Sequence, residues 1–312
     1  MTTREDVLAA RRRVGGRVRR TPVSRVVLPT PGGDLPVALK LEQLQLGGSF
    51  KIRGSLNAIL NRDAAHRDSP VVIASGGNAG IAAATASGML GIGCTVVVPA
   101  SAPAVKVERL RALGAEVVLD GERYTDAYVR ATAIAAQRGA QQLHAYDLPD
   151  VVAGAGVIGL ELAEEAPEAT TVLVAVGGGG LVAGIAAALA GDKQVVGVEP
   201  SGAPTLHAAL AAGSPVDVVV DSIASDALGA TRLGDIAMDV ARRAAIGSVL
   251  VEDEAIVEAR NLLWRNFRLA VEHAAAAPVA ALLSGAYTPV EGERIVAVIC
   301  GANTDPTTLP TD

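Results

Sequence analysis

Two stretches of the chain run through the same order of elements. From Val71 to Pro99 a β-branched run leads into a glycine loop, an alanine-rich segment, a second β-branched run and a proline, and Val172 to Pro200 repeats that order. Parallel strands need a long crossover, usually a helix, so short strands alternating with helices specify βαβ units and a mainly parallel sheet. The alternation continues outside these stretches. Strands are expected at Val37–Leu41, Glu116–Leu119 and Ile295–Ile299, and helices at Arg4–Val14, Val105–Leu113, Ala127–Arg138, Val152–Glu165, Ala255–Arg268 and Ala275–Ser284. The fold class is α/β, with two lobes of open, mainly parallel sheets flanked by helices. One lobe covers residues 54–150 and the other is assembled from 1–53 and 151–312. Open α/β sheets bind ligands at the carboxyl ends of their strands, where both glycine loops fall, so the expected site is a cleft between lobes. The segment Pro29–Pro36 reads as a turn, and the polar tail from Thr304 as a fraying end.

Composition excludes several function classes. The formal net charge is −6 and aromatics make up 2% of the 312 residues, which disfavours both phosphate neutralisation and base stacking. Six arginines between Arg11 and Arg20 therefore read as a solvated helix face rather than a nucleic-acid patch. No charge occurs from Ser69 to Val105, but Asn78, Pro99, Pro103 and several glycines interrupt the stretch, so no membrane span is expected. The N-terminus shows no apolar signal core. Cys94 and Cys300 are the only cysteines, too few for a disulfide framework or a structural zinc site, and the expected compartment is the reducing cytoplasm.

Two motifs carry chemistry. Gly177-Gly178-Gly179-Gly180 follows a strand and opens a helix, so its bare backbone N–H groups and the helix N-terminus suit a phosphate. Gly178, Gly180 and Ala183, with Glu199 near the end of the next strand, also fit a dinucleotide fingerprint, which keeps a nicotinamide oxidoreductase open as an alternative. Lys51 argues for other chemistry. Of 27 basic residues only four are lysines (Lys40, Lys51, Lys106, Lys193), and a position that keeps lysine can need an amine able to lose its proton. Near a helix start and beside Arg53, a buried Lys51 amine is expected to have a lowered pKa, as Schiff-base chemistry requires.

Gly48-Ser49-Phe50-Lys51-Ile52-Arg53-Gly54 strongly resembles the pyridoxal-phosphate lysine motif of the threonine/serine dehydratase family, fold type II. Ser75-Gly76-Gly77-Asn78-Ala79-Gly80, Gly177 to Leu181, Val198-Glu199-Pro200 and Cys300-Gly301-Ala302-Asn303 follow in that family's order, and the resemblance runs from Thr21 onward. It implies that Lys51 holds the cofactor covalently, Phe50 packs by its ring, Asn78 bonds the phenolic oxygen, and Gly177, Gly178, Gly179, Gly180 and Leu181 hold the phosphate. Residues Ser75, Gly76, Gly77, Asn78 and Ala79 would bind the substrate carboxylate, Lys51 and Ser75 would be the catalytic residues, and Cys300 would face the pyridine nitrogen. The lobe built from 1–53 and 151–312 would then be the cofactor-binding domain.

The resemblance implies an ammonia-lyase that converts serine or threonine to a 2-oxo acid and ammonia, with β-replacement and racemisation as alternatives on the same fold. It also implies a homodimer with no nucleic-acid or membrane partner. Several positions depart from the pattern. Gly76 stands where many relatives have a second serine, which in racemases returns a proton to the opposite face. Thr205 replaces the carboxylate of the divalent-metal set, so Glu199, Ala203 and Thr205 would hold a monovalent cation instead. The chain's end soon after Asn303 leaves no room for the regulatory domain of biosynthetic threonine dehydratases.

Overall fold

The β-branched runs form two sheets in the computed structural model, which describes residues 1–63 and 66–311. The six-stranded sheet has the order β1-β2-β10-β7-β8-β9, from β1 (Val23–Thr30), β2 (Gly33–Lys40), β7 (Thr171–Ala175), β8 (Gln194–Pro200), β9 (Gly247–Val251) and β10 (Ile295–Val298). All its pairs are parallel except β1 with β2. The four-stranded sheet is parallel throughout, in the order β5-β4-β3-β6, from β3 (Val71–Ala74), β4 (Cys94–Val98), β5 (Glu116–Leu119) and β6 (Gln141–Leu143). The helices are α1 (Arg4–Val14), α2 (Lys51–Leu60), α3 (Asn78–Leu90), α4 (Ala104–Ala112), α5 (Tyr124–Arg138), α6 (Pro149–Glu165), α7 (Gly180–Leu189), α8 (Thr205–Ala212), α9 (Ser225–Leu228), α10 (Asp235–Arg243), α11 (Asp253–Phe267) and α12 (His273–Leu283). Strands β3, β4 and β7 are buried along their whole length, as both-face coverage by helices requires. Among the described residues no helix is long and apolar enough to cross a membrane.

The helix that carries Lys51 is seated by close backbone contact. A Cβ on Gly54 of α2 would stand 2.7 Å from the Val151 carbonyl oxygen, and one on Gly154 of α6 would stand 2.4 Å from the Arg53 carbonyl oxygen. Beneath this crossing lies a buried ionic cluster. Arg53 donates to Glu42 from Nε and Nη2 at 2.8 Å each, and to Glu161 from Nη1 at 2.7 Å; Lys40 Nζ donates to Glu161 at 2.7 Å and Glu165 at 2.8 Å. Such charges are tolerated inside only when each has its partners.

Three expectations are corrected here. The Pro29–Pro36 segment is not a plain turn: β1 and β2 run through it as a hairpin, with Thr30 opposite Gly33. Proline is accommodated because β1 is an edge strand, and Pro36 precedes the first β2 residue that pairs with β10, Val37. The tail is docked rather than frayed. Arg260 donates to Thr308 Oγ1 at 2.7 Å and Thr304 Oγ1 at 3.0 Å, the Trp264 indole N–H donates to the Pro310 carbonyl at 3.0 Å, and Leu309 is buried. The arginines near the N-terminus are partly paired rather than merely solvated: Arg11 and Arg20 meet Glu164, and Arg20 also meets Glu165, at the end of α6.

Candidate active site

Lys51 is the first residue of α2, placed there by a turn whose Gly47 and Gly48 have φ of 73° and 77°. The positive φ at Gly48 is one that favours glycine, and a Cβ there would also stand 2.5 Å from Asn303 Oδ1. Lys51 Nζ donates to the Ala145 carbonyl at 2.9 Å and lies 5.0 Å from the centre of the Phe50 ring. Burial pulls the amine down to about 8, against the opposing pull of Cys300 and Glu272. The expected contribution of Arg53 is corrected: its guanidinium leaves α2 on the other side, into Glu42 and Glu161, and desolvation supplies the shift.

Lys51 shares a cavity of about 40 Å³ with Phe50, Asn78, the glycine loop and Cys300. Gly177 to Leu181 connect β7 to the N-terminus of α7, with Gly179 at φ 86° as the cap. The loop can pass so close only because it lacks side chains: a Cβ on Gly178 would stand 2.2 Å from the Tyr146 ring, and one on Gly180 2.6 Å from the Tyr146 carbonyl oxygen. Cys300 follows β10 beside the lysine segment, where its carbonyl accepts from the Phe50 N–H at 3.1 Å and Ser49 bridges to Gly301. Burial, with Glu272 nearby, pushes its thiol up, so it stays neutral.

A larger opening of about 590 Å³ adjoins this cavity, with Gly76, Gly77 and Asn78 on one wall and Ala227, Glu272 and Asn303 on the other. Ser75 Oγ accepts from the Gly77 N–H at 3.4 Å, while the Ala79 side chain is buried in a hydrophobic core that it shares with residues of α1, α2 and α6. Among the pocket residues that sequence reasoning missed, Tyr146 and Glu272 carry polar groups. Glu272 lines both spaces, accepts from Asn78 Nδ2 at 2.8 and 3.0 Å, and is pushed up to about 7 by burial. Its signal was a lone acid directly before His273 and an alanine run; Tyr146 gave none beyond being one of four tyrosines.

The profile of the family described as pyridoxal-phosphate dependent enzyme matches residues 14–301. The chain belongs to that family. Among pyridoxal-phosphate dependent enzymes it is 36% identical to the L-threonine ammonia-lyase of Thermotoga maritima, over 98% of this chain and 76% of that protein. A solved threonine deaminase from T.th. superposes with a TM-score of 0.88 at 33% identity, covering 97% of this chain and 99% of the other. Maize serine racemase superposes with a TM-score of 0.89 at 30% identity, covering 98% and 95%. The two-sheet α/β architecture is thus that of fold type II pyridoxal-phosphate dependent enzymes.

In this pyridoxal-phosphate dependent enzyme Glu199 does not stand free for a ribose, as the dinucleotide alternative would need. It is buried at the N-terminus of α8, accepting from the Leu206 N–H at 2.6 Å, the His207 N–H at 2.9 Å and the Thr205 hydroxyl at 2.9 Å. Thr205 Oγ1 also lies within hydrogen-bond reach of the Gly177 carbonyl, so this corner buttresses the glycine loop. A cation at Glu199, Ala203 and Thr205 would have to share a carboxylate that helix N–H groups already hold. Among the described residues no group of three or more His, Cys, Asp or Glu side chains gathers that could hold a metal ion.

Proposed function

We propose that the protein is a pyridoxal-phosphate dependent ammonia-lyase that converts a small L-3-hydroxy amino acid, serine or threonine, to a 2-oxo acid and ammonia. The observation that carries this reading is the meeting, in one small cavity, of a buried amine with a pKa of about 8, a side-chain-free glycine cradle and a neutral thiol. The cradle fits a phosphate, because α7 begins there with N–H groups that have no helical partner, and Gly177, Gly178, Gly179 and Gly180 line the cavity with bare backbone. When bound, the cofactor supplies an electron sink for the pair left on Cα. Lys51 would hold it, and Phe50 and Asn78, which line the same cavity, would flank its ring. Cys300, a neutral thiol, would stand by the ring nitrogen and would not hold a proton on it as a carboxylate would, which would keep the sink moderate.

The N–H groups of Gly76 to Ala79, at the start of α3, take the substrate carboxylate, with Ser75 beside them. Lys51, displaced by the substrate amine, removes the α-proton. The β-hydroxyl leaves with a proton as water, and the released enamine takes water back to give the 2-oxo acid and ammonia. The similarity to an L-threonine ammonia-lyase and a threonine deaminase over nearly the whole chain supports this choice of reaction. A homodimer in the cytoplasm, and a monovalent cation at Glu199, Ala203 and Thr205, belong to the same reading. Two free, buried cysteines suit that compartment. The test is to incubate the holoenzyme with L-serine and L-threonine and follow 2-oxo acid and ammonia, then to fix the cofactor with borohydride and map the label. Equal amounts of the two products, with the label on Lys51, are expected. A label on Lys40, Lys106 or Lys193, or no 2-oxo acid from either substrate, would overturn the reading.

A further inference from the structure

A chain of hydrogen bonds runs back and forth across the cleft between the two sheets' elements. Arg109 Nη2 of α4 donates to Asn303 Oδ1 at 2.7 Å, Asn303 Nδ2 donates to Asn78 Oδ1 at 2.6 Å, and Asn78 Nδ2 donates to Glu272 at 2.8 and 3.0 Å. The direction of this chain is fixed by groups that have only one role. A guanidinium can only donate, so it meets the amide oxygen of Asn303. Asn303 Nδ2 also donates to the Gly47 carbonyl at 2.9 Å, and a carbonyl can only accept. Asn78 must therefore turn its oxygen to Asn303 and its NH₂ to Glu272. The carboxylate is itself held by the Asn303 backbone N–H, and by Gly301, where a Cβ would stand 2.3 Å from its Oε1.

Resting on the function proposed above, we infer that Glu272 is a positioning residue for the reaction: through Asn78 it fixes the amide that faces the cofactor ring, and Asn303 and Arg109 make that orientation depend on the two lobes being held together. A second link, Lys106 to Asp226 at 2.8 Å, closes the same cleft. The charged and titratable groups that face Glu272 are Lys51 from α2, Asp226 from α9, and Cys300 after β10, with His273 next to it in the chain. Burial outweighs the hydrogen bonds from Asn78 and Asn303 and the pull of Lys51, so the acid titrates at about 7. Below that pH it carries a proton, so one of its two oxygens becomes a donor and its hold on the Asn78 NH₂ weakens from two acceptor oxygens to one.

The experiment records the visible absorption of the Lys51-bound cofactor in the holoenzyme against pH, together with kcat and KM for L-threonine and L-serine, in the wild type, Glu272→Gln and Arg109→Ala. The wild type is expected to show a spectral transition near pH 7 and Glu272→Gln to lack it. Arg109 is exposed, so its replacement leaves folding intact. Arg109→Ala is expected to move the transition and to lower kcat about tenfold with a smaller change in KM, as loss of orientation does. A transition retained in Glu272→Gln, or an Arg109→Ala enzyme identical to the wild type in both readouts, overturns the inference. Should Glu272→Gln fail to fold, Arg109→Ala decides alone. A wild type that takes up cofactor and deaminates, beside unmoved variants, sinks only this inference; a wild type that takes up no cofactor sinks it and the proposed function together.

Discussion

The ring of Tyr146 rests directly on Gly178: a Cβ built on that glycine would stand 2.2 Å from Cγ of the ring. The clash is with the root of the ring rather than its mobile tip, so any side chain at 178 must displace Tyr146 from the cofactor cavity. Gly178→Ala is expected to weaken pyridoxal-phosphate binding by at least tenfold, about 1.4 kcal/mol. Tyr146→Ala made on top of it should recover part of that loss, since the two residues touch and their effects are not additive. Cofactor titration of the four proteins by absorbance measures the coupling. Additive effects would mean that Tyr146 does not shape the phosphate loop.

Cofactor attachment reports the state of Lys51. The amine must be neutral to attack a carbonyl, and burial has brought it from 10.5 to about 8. The rate of attachment to the apoprotein should therefore rise with pH through about 8. Stability follows with a definite sign. Between pH 8 and 10.5 the unfolded chain holds a proton that the folded chain has released, so the folded apoprotein gains stability as pH rises across that window. Lys51→Met should lose this slope in urea melts at about pH 8 and about pH 10, and Lys51→Arg should attach no cofactor.

Arg53 shows how close in sequence and how separate in space two basic residues can be. Its side chain is fully buried and grips Glu42 and Glu161. Arg53→Leu leaves two buried carboxylates short of a partner and should cost about 3–5 kcal/mol of stability by urea unfolding. The pH midpoint of cofactor attachment should stay near 8, because Arg53 does not act on Lys51. A midpoint displaced toward 10.5 in this variant would contradict that separation.

The same contrast marks what was legible in the sequence. Strand and helix alternation is a local signal, and β3, β7 and β10 begin within a residue of Val71, Val172 and Ile295, where the β-branched runs start. Lys51, Asn78, the glycine loop and Cys300 were legible as motifs, and they line one cavity. Edge strand β1 was not legible, because Pro29 within it and Pro31 just after it read as turn punctuation until the hairpin's position at the sheet margin is known. Direction was not legible either: only once α2 is known to begin at Lys51 does the turn of about 200° between i and i+2 set Lys51 and Arg53 on opposite sides. Nor could spacing show that Glu272 and Asn303 meet at Asn78, with Arg109 bonded to Asn303, since those partners come from elements distant in the chain. The docked tail belongs with these, because its anchors Arg260 and Trp264 sit on α11.

Reaction choice rests on Gly76 and Cys300. Removal of the α-proton on one face and its return on the other needs a second proton donor, and Gly76 offers none; a Cβ at that position would already press on Val98 Cγ1 at 3.2 Å. With L-serine, pyruvate should therefore outpace D-serine by a wide margin, even though maize serine racemase shares the fold. On the proposed reading Cys300 would set how strongly the ring draws electrons. Its thiol stays neutral because burial pushes its pKa up, and a serine hydroxyl is neutral too. Cys300→Ser should keep kcat/KM within about tenfold, ~1.4 kcal/mol of barrier. Cys300→Asp should lose more, since a carboxylate at the ring nitrogen favours its protonated form and a longer-lived carbanion. Parallel assays of 2-oxo acid and of the D-isomer, on wild type and both variants, decide the matter. Rapid D-serine formation with little pyruvate in the wild type would require a proton donor on the far face and would replace the ammonia-lyase reading with a racemase.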